Sequence, residues 1–450
     1  MDTIKVLIVG AGPSACYVVD ALAKTDLPLS IDMIDRYPQP FGLLRTGVAP
    51  DHERIKSLDT YFGKILDQAP LKFYGNISFG SDITLDDVKD AYHAIFFCTG
   101  TESDNDVPGL DYSLSNVAGS RDVVEWYNGY TSQRTHFDPL SLGNNVGIIG
   151  MGNVALDIAR IFLKEPVDLA KTEMPQSCID IITQQHISDV HIFARRGPAQ
   201  AKCTPLELAE LLELDTIQTL LDPSSITLSD TDMVEYNETK RVQKNVDILK
   251  EVISTKSRSK RLHIHFCSQL KEAHVNDGAV NGVTMAKTIL SGDPHQQQTT
   301  LTDESYHVPL TSLISSTGYK GAALPGIVFN EKTHCIPHEA GKITTQPKSS
   351  ATYYCAGWIK RGPQGVIGTN KSGAKETVDS FVADVASFSS KSLQPFDLAK
   401  TLKQRNHTYY SYDDWKTQND FEISEGEKKN KKRFKLTKIT DIEHCLKTNS

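Results

Sequence analysis

The sequence predicts an α/β protein built from two Rossmann-like units, one inserted in the other. Three observations lead there. The apolar run at 4–9 runs into Gly10-Ala11-Gly12-Pro13-Ser14-Ala15, and a second run at 146–149 runs into Gly150-Met151-Gly152-Asn153-Val154-Ala155. Each has the order strand, G-x-G-x-x-A turn, helix. The first Gly permits the tight turn, the second lets backbone approach a pyrophosphate, and the small third residue lets helix and strand pack. Two further apolar runs, 94–98 and 312–316, end in Thr99-Gly100 and Thr317-Gly318, so each unit closes on the same strand-end pattern.

Taken in order, 4–9 reads as a strand, 13–24 as a helix and 31–34 as a second strand ending at Asp35; Val107-Pro108-Gly109 then punctuates the chain. The second unit has a strand at 146–149, a helix over 153–163 and a strand at 190–194. The 164–189 stretch is an insertion after that helix. Beyond 330, residues 353–358 read as a short strand and turn, and a helix follows from 367 to about 386. The lysine-rich segments 222–262 and 420–438 read as surface helices and loops. The chain is expected to return to its first unit after the second, which divides it at 1–104, 105–330 and 331–450.

The residue ending the second strand of such a unit faces the adenosine ribose. An acid there bonds the 2′-OH, and Asp35 fits FAD or NAD. In the second unit the strand ends in Arg195-Arg196, about 45 residues past Gly150. Guanidinium groups pair with a 2′-phosphate that a carboxylate would repel, so NADP is expected there. The arginines could instead be merely solvated; their place relative to the fingerprint favours the phosphate. A flavin and a nicotinamide cofactor in one chain imply electron transfer.

Composition narrows the class. At 450 residues with 39% hydrophobic and 23% charged content, the chain can form two or three ordinary soluble domains. A net charge of −8 argues against general nucleic-acid binding, and no apolar run approaches the ~20 residues of a spanning helix. The first strand starts at Ile4, which leaves no room for a leader and suggests a cytoplasmic, prokaryotic-style protein. The eight cysteines contain no C-x-x-C, which argues against redox-disulfide, iron–sulfur and zinc-ribbon readings.

Four longer stretches carry a resemblance. They are Pro40-Phe41-Gly42-Leu43-Leu44-Arg45-Thr46-Gly47-Val48-Ala49-Pro50-Asp51-His52, Gly152-Asn153-Val154-Ala155-Leu156-Asp157-Ile158-Ala159-Arg160, Arg195-Arg196-Gly197-Pro198, and Gly357-Trp358-Ile359-Lys360-Arg361-Gly362-Pro363-Gln364-Gly365-Val366-Ile367-Gly368-Thr369-Asn370-Lys371. With these the chain resembles the adrenodoxin-reductase-like ferredoxin–NADP(+) reductases, bacterial branch, over almost its whole length. The resemblance implies a glutathione-reductase-like arrangement and an NADPH-dependent ferredoxin reductase. It implies FAD contacts from Ser14, Asp35, Leu43 and Phe79, and NADP contacts from Met151, Gly152, Asn153, Val154, Arg195, Arg196 and Glu207. Trp358, Gly365, Val366 and Ile367 would surround the isoalloxazine, His52 and Asp157 would form a polar pair beside it, and Glu210 would be a second acid near the nicotinamide path.

The partner implied is an acidic iron–sulfur ferredoxin, docking at Lys240, Arg241 and Lys244. Lys256, Arg258, Lys260 and Arg261 form a second basic cluster. A third run, Lys428, Lys429, Lys431, Lys432 and Arg433, reads equally well as a solvated segment. The sequence departs from the family in Ser14-Ala15 for Ala-Gly, Asp35 for Glu, and Lys202-Cys203 for an apolar pair. An NADPH oxidase or quinone reductase with a diffusible acceptor, and a nonenzymatic NADP-sensing flavoprotein, are the alternatives, because flavin reduction by NADPH would be identical in each.

Overall fold

The computed structural model describes residues 3–130, 136–252, 257–345, 347–388 and 391–449; Lys256 lies outside them. Two sheets organise the chain. The first runs, edge to edge, His338–Glu339, Lys342–Ile343, Thr352–Cys355, Ala94–Phe97, Ile4–Val9, Leu29–Asp35 and Leu71–Gly75. Its last five strands are parallel, and the first two add antiparallel at the edge. The second sheet is wholly parallel, in the order Val117–Gly119, Ser312–Ser315, Asn145–Ile149, Asp189–Phe193, Lys260–His265 and Ile217–Leu221. The first sheet therefore takes strands from both ends of the chain and the second from between them, giving two Rossmann-like units.

The central strands are apolar on both faces because both are covered. One face of the first sheet packs on helices Pro13–Ala23 and Thr369–Phe388 through Val18, Leu22, Ala374 and Phe381. One face of the second packs on helix Asn153–Leu163. Its other face is covered by an antiparallel sheet of Ser268–Asn276, Ala279–Ser291 and Gln298–Pro309, which buries Val280, Val283 and Met285 against Phe193 and Leu313.

The two glycine turns are built alike. Gly10 N–H donates to Ile34 O and Gly150 N–H to Phe193 O, in each case the neighbouring strand. Both glycines have positive φ, +99° and +121°. A Cβ would stand 2.6 Å from Cys98 O at Gly10 and 2.1 Å from Ser316 O at Gly150. Those carbonyls immediately precede Thr99-Gly100 and Thr317-Gly318, so the repeated strand ends are the surfaces against which the turns close.

Three expectations need correction. The helix expected from 367 begins at Thr369, because Val366 N–H donates to Thr369 Oγ1 and keeps Ile367 in the turn. The 222–262 segment is only partly surface: Lys260–His265 is an interior strand, its buried Leu262 and Ile264 alternating with polar neighbours. Helix Lys240–Glu251 likewise buries Val242, Val246 and Leu249. In 420–438, Glu422, Arg433 and Lys435 are buried because they are paired. Arg45 makes a two-toothed contact to Glu422 at 2.6 and 3.0 Å, Arg433 adds a bond at 3.2 Å, and Lys435 and Lys56 share Glu173 at 2.6 Å each. The insertion at 164–189 carries helices Pro166–Leu169 and Gln176–Gln185.

Candidate active site

The carboxyl ends of both parallel sheets open into one cleft of about 1810 Å³. A drug-sized ligand site occupies roughly 300–1,000 Å³, so the cleft has room for two dinucleotides. Gly10, Gly12, Pro13 and Ser14 border it from the first fingerprint, and Gly150, Met151, Gly152, Asn153 and Val154 from the second. Ala15 does not; it is buried in the core, where a small residue lets helix meet strand.

Asp35 lines the cleft at the end of its strand. It accepts the Ala11 N–H at 2.7 Å and the Tyr37 N–H at 2.9 Å, which lock the carboxylate beside the turn. Burial raises its pKa, and the two backbone donors oppose that rise. Leu43 and Phe79 also face the cleft, Phe79 standing edge-on to Phe97. Across it lie Arg195 and Arg196, with Lys202 and Arg241 among the lining cations. Glu207 projects in from helix Pro205–Leu212. Burial raises its pKa, and its Oε2 is enclosed without a hydrogen-bond partner. Trp358 borders the cleft near Tyr319, their ring centroids 6.2 Å apart, and Gly365, Val366 and Ile367 form the turn leading into helix Thr369–Phe388.

His52 and Asp157 meet at the cleft wall. Nε2 of His52 is 2.8 Å from Asp157 Oδ1. Arg160, one helical turn beyond Asp157, reaches that carboxylate at 2.9 Å and holds Asp51 through two bonds of 2.8 Å. Lys164 reaches Asp51 at 2.8 Å. Glu210 stands 3.5 Å from His52 Nδ1 but does not border the cleft. Burial disfavours the imidazolium; the Asp157 hydrogen bond and charge outweigh it and leave the His52 pKa raised, against opposition from Arg160. The role of Arg160 was the part sequence reasoning missed. Its i, i+3 spacing from Asp157 on one helix was the available signal.

The docking trio is divided. Lys240 and Lys244 are exposed, whereas Arg241 turns inward, donates to Ala201 O and lines the cleft. Lys202, a departure from the family pattern, lines it too.

The donor set fits both cofactors. Gly12 and Gly152 leave backbone open at the two helix starts, with nothing within 4 Å of a Cβ built on Gly152. Asp35 ends its strand at the first turn, two guanidinium-bearing residues line the cleft by the second, and a buried carboxylate oxygen of Glu207 has no hydrogen-bond partner.

No family model matches the chain. It is 30% identical to the mitochondrial NADPH:adrenodoxin oxidoreductase of Arabidopsis thaliana over 98% of this chain and 94% of that protein. It is 32% identical to the NADPH-ferredoxin reductase FprA of Mycobacterium tuberculosis over 97% and 98% of the two chains. The solved structure of M. tuberculosis FprA in complex with NADPH superimposes with a TM-score of 0.91, at 30% identity, over 99% of this chain and all of that one.

Proposed function

The chain belongs to the adrenodoxin-reductase-like ferredoxin–NADP(+) reductases, and we propose that its cleft carries electrons from NADPH through FAD to an iron–sulfur ferredoxin. It is a flavoprotein oxidoreductase. The observation that carries this reading is that two fingerprints with opposite ribose-facing groups, Asp35 in one and Arg195 with Arg196 in the other, open into the same cleft. Bound FAD would supply the chemistry that joins the two-electron donor NADPH to a one-electron acceptor.

The chain's own residues bind, orient and hold protons. Arg195 and Arg196 fix the 2′-phosphate, and Met151, Gly152, Asn153 and Val154 offer backbone to the NADP pyrophosphate at the start of helix Asn153–Leu163. Gly10, Gly12, Pro13 and Ser14 do the same for FAD, with Asp35 on its ribose and Leu43 and Phe79 as apolar walls. Trp358, Gly365, Val366 and Ile367 bound the space where the two rings meet. The amino end of the 20-residue helix Thr369–Phe388 favours negative charge there. Glu207 offers its unpartnered oxygen to NADP. His52 keeps a proton on Nε2 toward Asp157, and Glu210, whose side chain is 38% exposed, links the pair to solvent.

Sheet membership supports reading residues 1–104 and 331–450 as the FAD-binding part and 105–330 as the NADP-binding part. Lys240 and Lys244, one turn apart on an exposed helix face, offer cations to an acidic ferredoxin. Arg241 belongs instead to the nucleotide side. Among the described residues all eight cysteines are thiols, which supports a reducing, cytoplasmic setting.

The test is an absorption spectrum followed by anaerobic titration with NADPH or NADH, then ferredoxin. A yellow protein bleached far more readily by NADPH, and reoxidised by ferredoxin, is expected. Protein without flavin, or equal bleaching by NADH, defeats the proposal.

A further inference from the structure

Three histidines gather away from the cleft, on the face of the second sheet that carries the antiparallel sheet. His191 lies on strand Asp189–Phe193, and His263 and His265 lie on its neighbour Lys260–His265. The parallel register sets His263 beside His191 and His265 beside Phe193. Side chains alternate along a strand, so residues 191, 193, 263 and 265 share one face. The His191 and His263 rings stack with centroids 4.0 Å apart, and His191 Nδ1 is 3.1 Å from His265 Nε2. One donor nitrogen from each of the three lies within 4.8 Å of the others.

We infer that His191, His263 and His265 form a binding site for a divalent transition metal of the zinc, copper, nickel and cobalt class. Two nitrogens bound tetrahedrally at the usual metal–nitrogen distance stand about 3.3 Å apart. The His191–His265 separation of 3.1 Å is close to that bite. Rotation of the two rings, with a shift of the shared proton to an outer ring nitrogen, turns both nitrogens toward a common ion. His263 must swing inward to complete the set, and its side chain, 21% exposed, is at the rim where it can move. Asp189 Oδ1 lies 2.8 Å from His263 Nε2, which leaves Nδ1 for the ion and supplies the carboxylate–histidine support common around metal ligands.

The surrounding charges select the ion. Asp189 is already held by Arg261 at 2.6 and 2.7 Å, and Lys287 lies close enough to act on His265, whose ring faces Tyr306. With one committed carboxylate and two cations nearby, a hard oxygen-seeking ion such as Mg²⁺ or Ca²⁺ finds little. An ion that prefers imidazole nitrogen finds three donors. None of the three histidines lines the cleft, so the ion clamps two neighbouring strands and stands outside the electron path.

The experiment is equilibrium dialysis of untagged, EDTA-treated holoenzyme against Zn²⁺, with electron paramagnetic resonance of the Cu²⁺-loaded protein. Expected are one Zn²⁺ per chain and at least tenfold weaker binding in both His263→Gln and His265→Gln, with flavin content and bleaching by NADPH unchanged. Nitrogen coupling from at least two imidazoles is expected in the Cu²⁺ spectrum. Absence of stoichiometric Zn²⁺, or unchanged affinity in both variants, overturns the assignment. Should a variant lose its flavin, the wild-type Cu²⁺ spectrum decides alone: coupling from fewer than two imidazoles overturns it.

Discussion

His52 and Asp157 stand 105 positions apart in the chain and 2.8 Å apart in space. The histidine follows the loop that closes on the first fingerprint, and the aspartate lies on the helix that follows the second. The pair therefore joins the two nucleotide units at the cleft wall. Because Asp157 raises the His52 pKa, the pair contributes its full stability below the unfolded value of about 6.5 and loses it as pH climbs through the raised folded value. Asp157→Asn removes the charge that offsets burial, so the neutral-range break in the pH profile of NADPH turnover moves to lower pH. Superimposable profiles for variant and wild type would remove His52 from proton handling.

Arg195 and Arg196 line the cleft and are proposed to set coenzyme choice. Replacing both with Ala is expected to reduce the NADPH-over-NADH preference at least about 10- to 100-fold, the worth of roughly one hydrogen bond to a charged group. The loss falls mainly on KM, since the 2′-phosphate is far from the reacting ring. Steady-state kinetics with both coenzymes checks this; an unchanged ratio places the phosphate elsewhere.

The second fingerprint separates folding from binding. Gly150→Ala pushes a Cβ against Ser316 O at a φ of +121° and is expected to cost about 1–3 kcal/mol or more, seen as a lower denaturation midpoint. Gly152→Ala meets nothing within 4 Å. It should cost at most about 1 kcal/mol, from a poorer helix cap, yet raise the KM for NADPH as the methyl blocks the pyrophosphate. Equal stability losses in the two variants would contradict the geometry.

Glu422 is fully buried between Arg45 and Arg433. Glu422→Gln leaves Arg45 uncompensated and is expected to destabilise the protein by about 3–5 kcal/mol. Burial would raise the Glu422 pKa, but Arg45 and then Arg433 outweigh it and hold it low. Its contribution is thus present above the unfolded carboxylate value of about 4.3 and lost as pH falls through the depressed folded value. Urea denaturation of the wild type at falling pH, beside a variant whose profile is flatter, tests the assignment.

Ferredoxin reduction is expected to weaken as salt rises while reduction of a neutral dye stays flat, because screening acts on encounter between charged faces. Lys240→Glu with Lys244→Glu should flatten the salt dependence. Persistence of the full dependence in that double variant would move the docking face elsewhere.

The units were legible because a fingerprint is a local requirement. Gly10 and Gly150 are fixed by φ and by one carbonyl each, and the strand before each turn is simply apolar. Asp35 and the arginine pair were legible for the same reason: one ends, and the other closely follows, a strand whose position follows from the turn. Lys260–His265 was hidden because flanking charges masked a two-residue alternation. The inward turn of Arg241 was hidden because exposure on a helix depends on what the opposite face packs against. Segment 420–438 looked solvated because a charge run shows its sign but not its partners; Glu422 pairs with Arg45 across 377 positions.

By itself the sequence determined where the two glycine turns form, that an acid ends the strand beside one and an arginine pair follows the strand beside the other, and, through the family, the class of chemistry. Those depend on neighbours a few residues apart. Only the tertiary structure decided that His52 meets Asp157, that the charges at the C-terminal end are buried as pairs, and that three imidazoles share one sheet face. Such contacts depend on strand register and burial, which arise only when distant segments pack together.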